Sequence, residues 1–401
     1  MKYGMPAMAI AGCLVCGSAF AQSSNVRLYG LIDNGFVYNN NAKGASPSQL
    51  ASGNLQGSRW GIAGTEDLGG GLSAVFRLES GYSIDTGAMG QGGSMFGRRA
   101  TIGLANRFGT LSIGRQYDAL TDYMAGYSAA GSARNGVVKS WAGVYGAHPG
   151  DLDNLGGSNR TNNVIKFSSA SFNGLSAEAA YSLGNKAGDF TSSQSLSFAG
   201  AYRNGPLDVG AAYQNVRNPN YASWGVNPSA NNATSASSLN MNSPVYSGFA
   251  SAKTMQSIAA GASYQIGTVR VGGIFTNVQF QHLGGTPGNG LNPLQLSGTA
   301  TLSTYEMNVA WRPIPAVQLG LSYAFTHGSS VGSVSGANYG QWNLGADYAL
   351  SKRTDLYAVM VYQRATGVDS TGKAAVAAIA NFTASSTNSQ VGGTVGIRHI
   401  F

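Results

Sequence analysis

Leu72-Ser73-Ala74-Val75-Phe76-Arg77-Leu78-Glu79-Ser80-Gly81-Tyr82 alternates in character along its length. Leu72, Ala74, Phe76, Leu78 and Tyr82 share one parity, while Ser73, Arg77, Glu79 and Gly81 share the other. Successive side chains of a strand point to opposite faces, so this stretch reads as a strand with one apolar and one charged face. The unit recurs. Leu175, Ala177, Ala179, Tyr181 and Leu183 alternate with Ser176, Glu178 and Ser182, and Leu207, Val209, Ala211 and Tyr213 with Asp208, Gly210 and Gln214. Tyr305, Met307, Val309 and Trp311 alternate with Glu306, Asn308 and Arg312; Trp342, Leu344, Ala346, Tyr348 and Leu350 with Asn343 and Asp347.

A β-sandwich gives the same alternation, so periodicity alone does not decide the fold. Three features select a barrel. Tight turns at 67–71, 106–109, 173–174, 204–206, 267, 312–315 and 351–353 alternate with long loops near 39–57, 83–97, 118–160, 217–255, 280–300, 327–338 and 365–388. Short turns on one side and long loops on the other are the organisation of an outer-membrane barrel. Apolar-face aromatics also cluster at strand ends: Tyr202, Tyr264, Trp311, Tyr348 and Phe401 beside short turns, Tyr82, Tyr181, Tyr213 and Tyr323 toward long loops. Two belts fit a membrane with two interfaces. Finally, the apolar faces are small and aromatic, adequate against lipid but thin for a globular core. The reading is an all-β, antiparallel transmembrane β-barrel of about sixteen strands, with short periplasmic turns and long extracellular loops.

Composition agrees. Only 10% of the 401 residues are charged and 58 are glycine, against about 25% and about 7% in an average soluble domain. With 20 tyrosines and 15 phenylalanines the chain has enough burial capacity to exclude disorder. No uninterrupted apolar run reaches the ~20 residues of a membrane-spanning helix. Residues 1–21 read as a secretory signal: Lys2, an apolar stretch from Met5 to Phe20, and the small-x-small site Ala19-Phe20-Ala21. Residues 22–401 then form the barrel. A second reading takes Ile10-Ala11-Gly12-Cys13 as a lipoprotein cleavage box. Cys13 and Cys16 are the chain's two cysteines, so cleavage after Ala21 leaves none. The formal charge of +8 carries no Lys/Arg run, and nucleic acid is not an expected partner.

Several segments resemble Gram-negative porins of the beta-proteobacterial kind. They are Val26-Arg27-Leu28-Tyr29-Gly30-Leu31-Ile32-Asp33-Asn34-Gly35, the stretch Ser58-Arg59-Trp60-Gly61 through Gly71, Phe76-Arg77-Leu78-Glu79, and Gly97-Arg98-Arg99-Ala100-Thr101-Ile102-Gly103-Leu104. Leu111-Ser112-Ile113-Gly114-Arg115-Gln116-Tyr117 and the closing Gly396-Ile397-Arg398-His399-Ile400-Phe401 continue the series. The resemblance implies a sixteen-stranded barrel, a homotrimer in outer-membrane lipid and lipopolysaccharide, and a third long loop, 118–160, folded into the lumen. It also implies that Phe401, ending an alternating strand, is the signal read by the outer-membrane assembly machinery; an ordinary girdle residue is the alternative.

Charge on the lipid face costs about 2–4 kcal/mol at the midplane, so charged strand residues should line water. Arg59, Arg77, Glu79, Arg99, Lys166 and Arg270 take lumen parity, whereas Arg98 takes outward parity. Arg115 shares parity with Leu111 and Ile113 and points outward unless a bulge shifts the register. Asp118 and Asp122 of an inward loop would face arginines across a constriction, producing a transverse field and a modest anion preference. The alternative is that these arginines pair with Glu79 and loop carboxylates to stiffen the wall. Asp151 and Asp153 form a weak calcium candidate, because Leu155 and Asn162 stand where that loop motif wants ligands. His148, His282, His327 and His399 show no metal spacing, and no cofactor or enzymatic activity is expected. The function read from the chain is passive diffusion of ions and small hydrophilic solutes. A substrate-specific channel, or a surface adhesin acting through loops 217–255 and 365–388, remains the alternative.

Overall fold

The alternating segments close on themselves. A computed structural model describes residues 25–131, 139–226, 240–288 and 290–401. The expected signal segment and both cysteines lie outside the described residues. Sixteen long strands form the wall. They are β1 (Asn25–Asn39), β2 (Arg59–Gly69), β3 (Leu72–Gly81), β4 (Arg99–Asn106), β5 (Gly109–Gln116), β6 (Arg160–Ser169), β7 (Leu175–Ser182) and β8 (Ser195–Asn204). The second half comprises β9 (Leu207–Arg217), β10 (Thr254–Ile266), β11 (Val269–Gln281), β12 (Thr299–Ile314), β13 (Val317–Gly328), β14 (Ala337–Ala349), β15 (Thr354–Gly367) and β16 (Ser389–Ile400).

Every strand pairs antiparallel with its sequence neighbour, and β16 returns to β1 from Leu31↔Ile400 to Asn39↔Gly392. Closure removes the unpaired edges that an open sheet would expose to lipid. The seam extends to the last residue: Phe401 and Gly30 exchange backbone hydrogen bonds of 3.1 and 2.9 Å. A Cβ on Gly30 would lie 2.2 Å from the Phe401 ring, so glycine there makes room for the terminal aromatic. Two short strands are accessory: Ser48–Ser52 adds to β1 and Trp224–Gly225 to the start of β6.

Register fixes the faces, since residues directly opposite share a side. Ile102, Leu104, Leu111, Ile113, Phe167, Met307 and Leu344 all point outward and remain 44–71% exposed. Leaving each in water would forgo about 1.5–3 kcal/mol of burial, so this band is the lipid-facing surface. Tyr264, Trp311 and Tyr348 stand exposed at its short-turn end. Tyr82, placed by parity in the opposite belt, falls one residue beyond β3 and lines an internal cavity instead.

The long loops number eight. The eighth is the connection 183–194 between β7 and β8, a dozen residues like 327–338, which is not among those read from the sequence. The described residues of loops 217–255, 280–300, 327–338 and 365–388 pack down onto the barrel. Trp224, Met241, Phe249, Leu283, Leu291, Val331 and Ala378 pack with the upper ends of β9–β15 into one apolar cluster.

Candidate pore and its constriction

The third loop enters the barrel. Its first turn is α1, Ala119–Met124, started by Asp118, whose carboxylate accepts from Thr121 N at 2.8 Å. The other Asp118 oxygen accepts from Trp224 Nε1 at 3.0 Å, and the residue is 2% exposed. The expectation that Asp118 faces the arginines is therefore corrected. An aspartate immediately before a helix satisfies orphan N–H groups, and this one is consumed by that task.

Beyond α1 the loop lies along the β8–β15 wall, held by two aromatic side chains set over glycines. Tyr127 covers Gly210 and Gly261, where an added Cβ would come within 2.9 and 2.7 Å of it. Its hydroxyl donates to Asp208 at 2.5 Å. Trp141 covers Gly320 and Gly345; a Cβ on Gly320 would sit 2.0 Å from the indole. Lumen-facing polar groups complete the attachment. Arg270 donates to Gly126 O at 2.7 Å, Asn308 to Tyr127 O at 2.7 Å, and Gln341 to Tyr145 O at 2.9 Å. Lys139 pairs with Asp355 at 2.9 Å. Arg270 thus faces inward as parity predicts, yet it is 8% exposed and serves the loop rather than an open surface.

The central anchor is fully buried. His148 sits between Asp153 and Glu306, with Nε2 3.0 Å from Glu306. Thr276 donates to Asp153 at 2.6 Å, and Ala129 N to Glu306 at 2.7 Å. Burial pulls the imidazole down, but Asp153 and Glu306 override it and hold it up at about 10. Asp151 accepts from Gly156 N and Ser158 N; burial pushes its carboxyl up to about 6. Asp151 and Asp153 are therefore committed to different internal partners. Among the described residues no group of three His, Cys, Asp or Glu could hold a metal, and the calcium reading is dropped.

With that wall filled, the open path runs along β1–β6. An upper cavity of about 710 Å³ is lined by Arg59, Arg98, Arg160, Tyr117, Asp85 and Asp122, and a lower one of about 770 Å³ by Arg27, Arg77, Arg99, Lys166, Glu178 and Asp122. Asp122 borders both, so the narrowing lies at its level. It pairs with Lys166 and stands 3.9 Å from Arg99; burial raises its carboxyl, but these two cations outweigh burial and keep it below the usual range. Lys166 also reaches Glu178 at 3.2 Å.

Glu79 is wedged behind the upper and lower groups. It accepts from Arg98 at 2.9 Å, Arg77 at 3.2 Å and Tyr29 at 2.9 Å, and is 5% exposed. Arg98 corrects its outward assignment. It precedes β4 by one residue, where strand parity no longer applies, and it turns inward to Glu79. Arg115 lies opposite Ala100 on the outer face, and the register shift between Gly114 and Gln116 adds its extra residue on β6, so Arg115 keeps its outward parity. Its guanidinium is satisfied by Gly97 O at 2.7 Å and Asn162 at 2.6 Å.

Arg160, Tyr117 and Glu178 were not singled out from sequence. Arg160 donates to Tyr117 at 2.5 Å while its buried Nε has no partner. Burial raises the Tyr117 phenol, but Arg160, Arg98 and Arg59 together draw it below its ordinary value. Lumen parity alone would have flagged Glu178, opposite Ser168. Arg160 carried no such signal, because it starts its strand directly after the loop.

A family model described as Gram-negative porin matches residues 7–368. The chain belongs to that family. Outer membrane porin protein 32 of Delftia acidovorans is 29% identical to this porin over 409 aligned positions, covering 100% of both chains. An outer membrane porin of Bordetella pertussis is 33% identical over 235 positions, covering 52% of this chain and 58% of its own. Among solved structures, the anion-selective porin from Comamonas acidovorans superposes with a TM-score of 0.70 at 24% identity, covering 94% of this chain and 100% of that one. The trimer form of OmpT from Vibrio cholerae gives 0.62 at 14% identity, covering 94% and 100%. This porin accordingly resides in the Gram-negative outer membrane as a sixteen-stranded barrel.

Proposed function

We propose that this porin is a passive diffusion channel for ions and small hydrophilic solutes with a modest preference for anions. One observation carries the reading: the cavities above and below Asp122 are lined by seven basic residues against Asp85, Asp122 and Glu178, with Glu79 as the one further carboxylate between them. A cleft lined by one sign of charge between low-dielectric walls concentrates counter-ions and raises their entry rate. Arg59, Arg77, Arg98, Arg99, Arg160 and Lys166 are the selectivity residues in this reading. The anion selectivity of the Comamonas relative named above is consistent with it. Cofactors and catalytic groups play no part.

The working unit is proposed to be a homotrimer, in line with the trimeric form of the OmpT neighbour, embedded in phospholipid and lipopolysaccharide. Residues 1–21 are proposed as the export signal and Phe401 as the residue presented to the assembly machinery. The zero-current potential of the purified protein in a planar bilayer under a KCl gradient tests the transport reading. Chloride-directed potential is expected; a potassium-directed one overturns it. Closure in three equal steps would match the trimer.

A further inference from the structure

Trp224 belongs to the outer loop 217–255 and lines neither cavity, yet its side chain ends at the start of the constriction helix. Its own segment is fixed to the barrel rim. Trp224 and Gly225 pair antiparallel with Thr161 and Arg160. Ser223 O accepts from Asn162 N at 2.8 Å, and Ser223 N donates to Ser193 O at 3.0 Å. Asn240 closes over the same turn, donating to Trp224 O at 3.2 Å from space that a Cβ on Gly225 would fill. Trp224 is 5% exposed, and its indole bridges this anchored strand to Asp118.

The Asp118 carboxylate has three partners. Thr121 N and Asn154 Nδ2, at 2.8 and 3.3 Å, belong to the inward loop itself. Trp224 Nε1, at 3.0 Å, comes from a different loop. Ala119 N adds a tie to Ser197 on β8 at 3.0 Å. A helix of six residues has little cooperativity of its own and depends on what holds its first turn. Asp122 N donates to Asp118 O at 3.1 Å, so the placement of Asp118 fixes that of Asp122 one turn on. Asp122 is the carboxylate held by Lys166 and Arg99 where the two cavities meet. Losing a hydrogen bond to a charged group raises the population of the released state about tenfold or more.

We propose that Trp224 is a positioning residue for ion selectivity: from outside the path it holds the start of α1 and so keeps Asp122 against Lys166 and Arg99. Released, Asp122 carries its charge away from those cations and into the path, which disfavours anions. The proposal rests on the ion path past Asp122 described above and adds a selectivity determinant that touches no ion.

Zero-current potentials in planar bilayers under a KCl gradient test it. Trp224→Phe keeps a ring and the backbone pairing but deletes the N–H. Asp118→Asn still caps the helix but turns its NH2 toward the indole N–H, breaking the same bond from the other side. Each is expected to lower the chloride-over-potassium permeability ratio about threefold, the effect of one charge brought within roughly 6 Å of the path after screening at about 0.1 M salt. The two together should lower it no further than either alone. In an Asp122→Asn background both substitutions should leave the ratio where Asp122→Asn alone sets it. A fall of equal size with and without Asp122 is what a merely loosened mouth would give, and it overturns the proposal. A native or raised ratio in either variant overturns it too; should Trp224→Phe not insert, Asp118→Asn supplies the same comparison. A potassium preference in the native protein overturns the anion reading instead, since the Asp122-dependent shift is measured against whatever ratio the native channel shows.

Discussion

Replacing Arg59 and Arg160 with glutamine removes two of the three guanidiniums of the upper cavity while leaving Arg98 to neutralise Glu79. Keeping Arg98 matters, because stripping one partner from a buried pair costs about 3–5 kcal/mol and would confuse selectivity with stability. An ion threading the cavity passes within roughly 6 Å of each guanidinium, where one unit charge contributes about 0.7 kcal/mol at the dielectric constant of water. Two lost charges disfavour an anion by about 1.4 kcal/mol and favour a cation equally. The anion-to-cation permeability ratio therefore shifts by about 2.8 kcal/mol before screening. At 0.1 M salt the Debye length is about 10 Å, and roughly half of this survives; at 1 M it is about 3 Å, and little does. The ratio in R59Q/R160Q should thus fall about tenfold at 0.1 M and only about twofold at 1 M. Zero-current potentials in planar bilayers at the two salt levels measure both values. A fall of equal size at both, or none at 0.1 M with native conductance, would refute the assignment of these arginines to the ion path.

Other expectations concern the inward loop and the outer-loop cluster. Gly320→Val forces the Trp141 indole off the wall by roughly 1.5 Å to regain ordinary carbon contact, so single-channel conductance should drop or flicker; quiet, native-sized currents would show that the indole does not fix the loop. His148 is held above its free value, so its contribution is complete below about pH 6.5 and is lost as pH rises through about 10. Open-channel noise should rise above pH 10 in the native porin, while His148→Gln should be noisy already at pH 7; identical noise in both across this range contradicts the anchor. Deleting residues 240–250 removes Met241, Val245 and Phe249 from the cluster beneath the outer loops. Conductance should increase as the mouth widens, a result read directly from bilayer steps.

Much of this was readable along the chain. Period-two alternation assigns Arg59, Arg77, Arg99 and Lys166 to the inner face without any tertiary information, since a single register rule governs all sixteen strands. The rule fails where strands end. Arg98, one residue before β4, turns to Glu79, and Asp118, one residue before α1, turns to the helix it starts. Nor does alternation say what an inner residue faces, open water or a folded-in loop. Arg77 and Arg270 are equivalent by parity, but loop 118–160 covers one wall and spares the other. That choice is made by Tyr127 and Trp141 meeting paired glycines on adjacent strands, at Gly210/Gly261 and Gly320/Gly345. Pairs of lumen-facing glycines side by side are a signal that sequence carries, although only the strand register reveals that they are neighbours. The His148 anchor depends on contacts 158 residues apart, which no local pattern encodes.

The central claim is that ions move along the β1–β6 wall and not behind the loop. Residues 22–401 contain no cysteine, so a single introduced thiol reports its own accessibility. Thr101 faces the lower cavity, whereas Thr304 is fully buried on the opposite wall against Thr326. Adding a charged methanethiosulfonate reagent during single-channel recording should lower the current stepwise in Thr101→Cys and leave Thr304→Cys unchanged. Block in Thr304→Cys without block in Thr101→Cys would contradict the account.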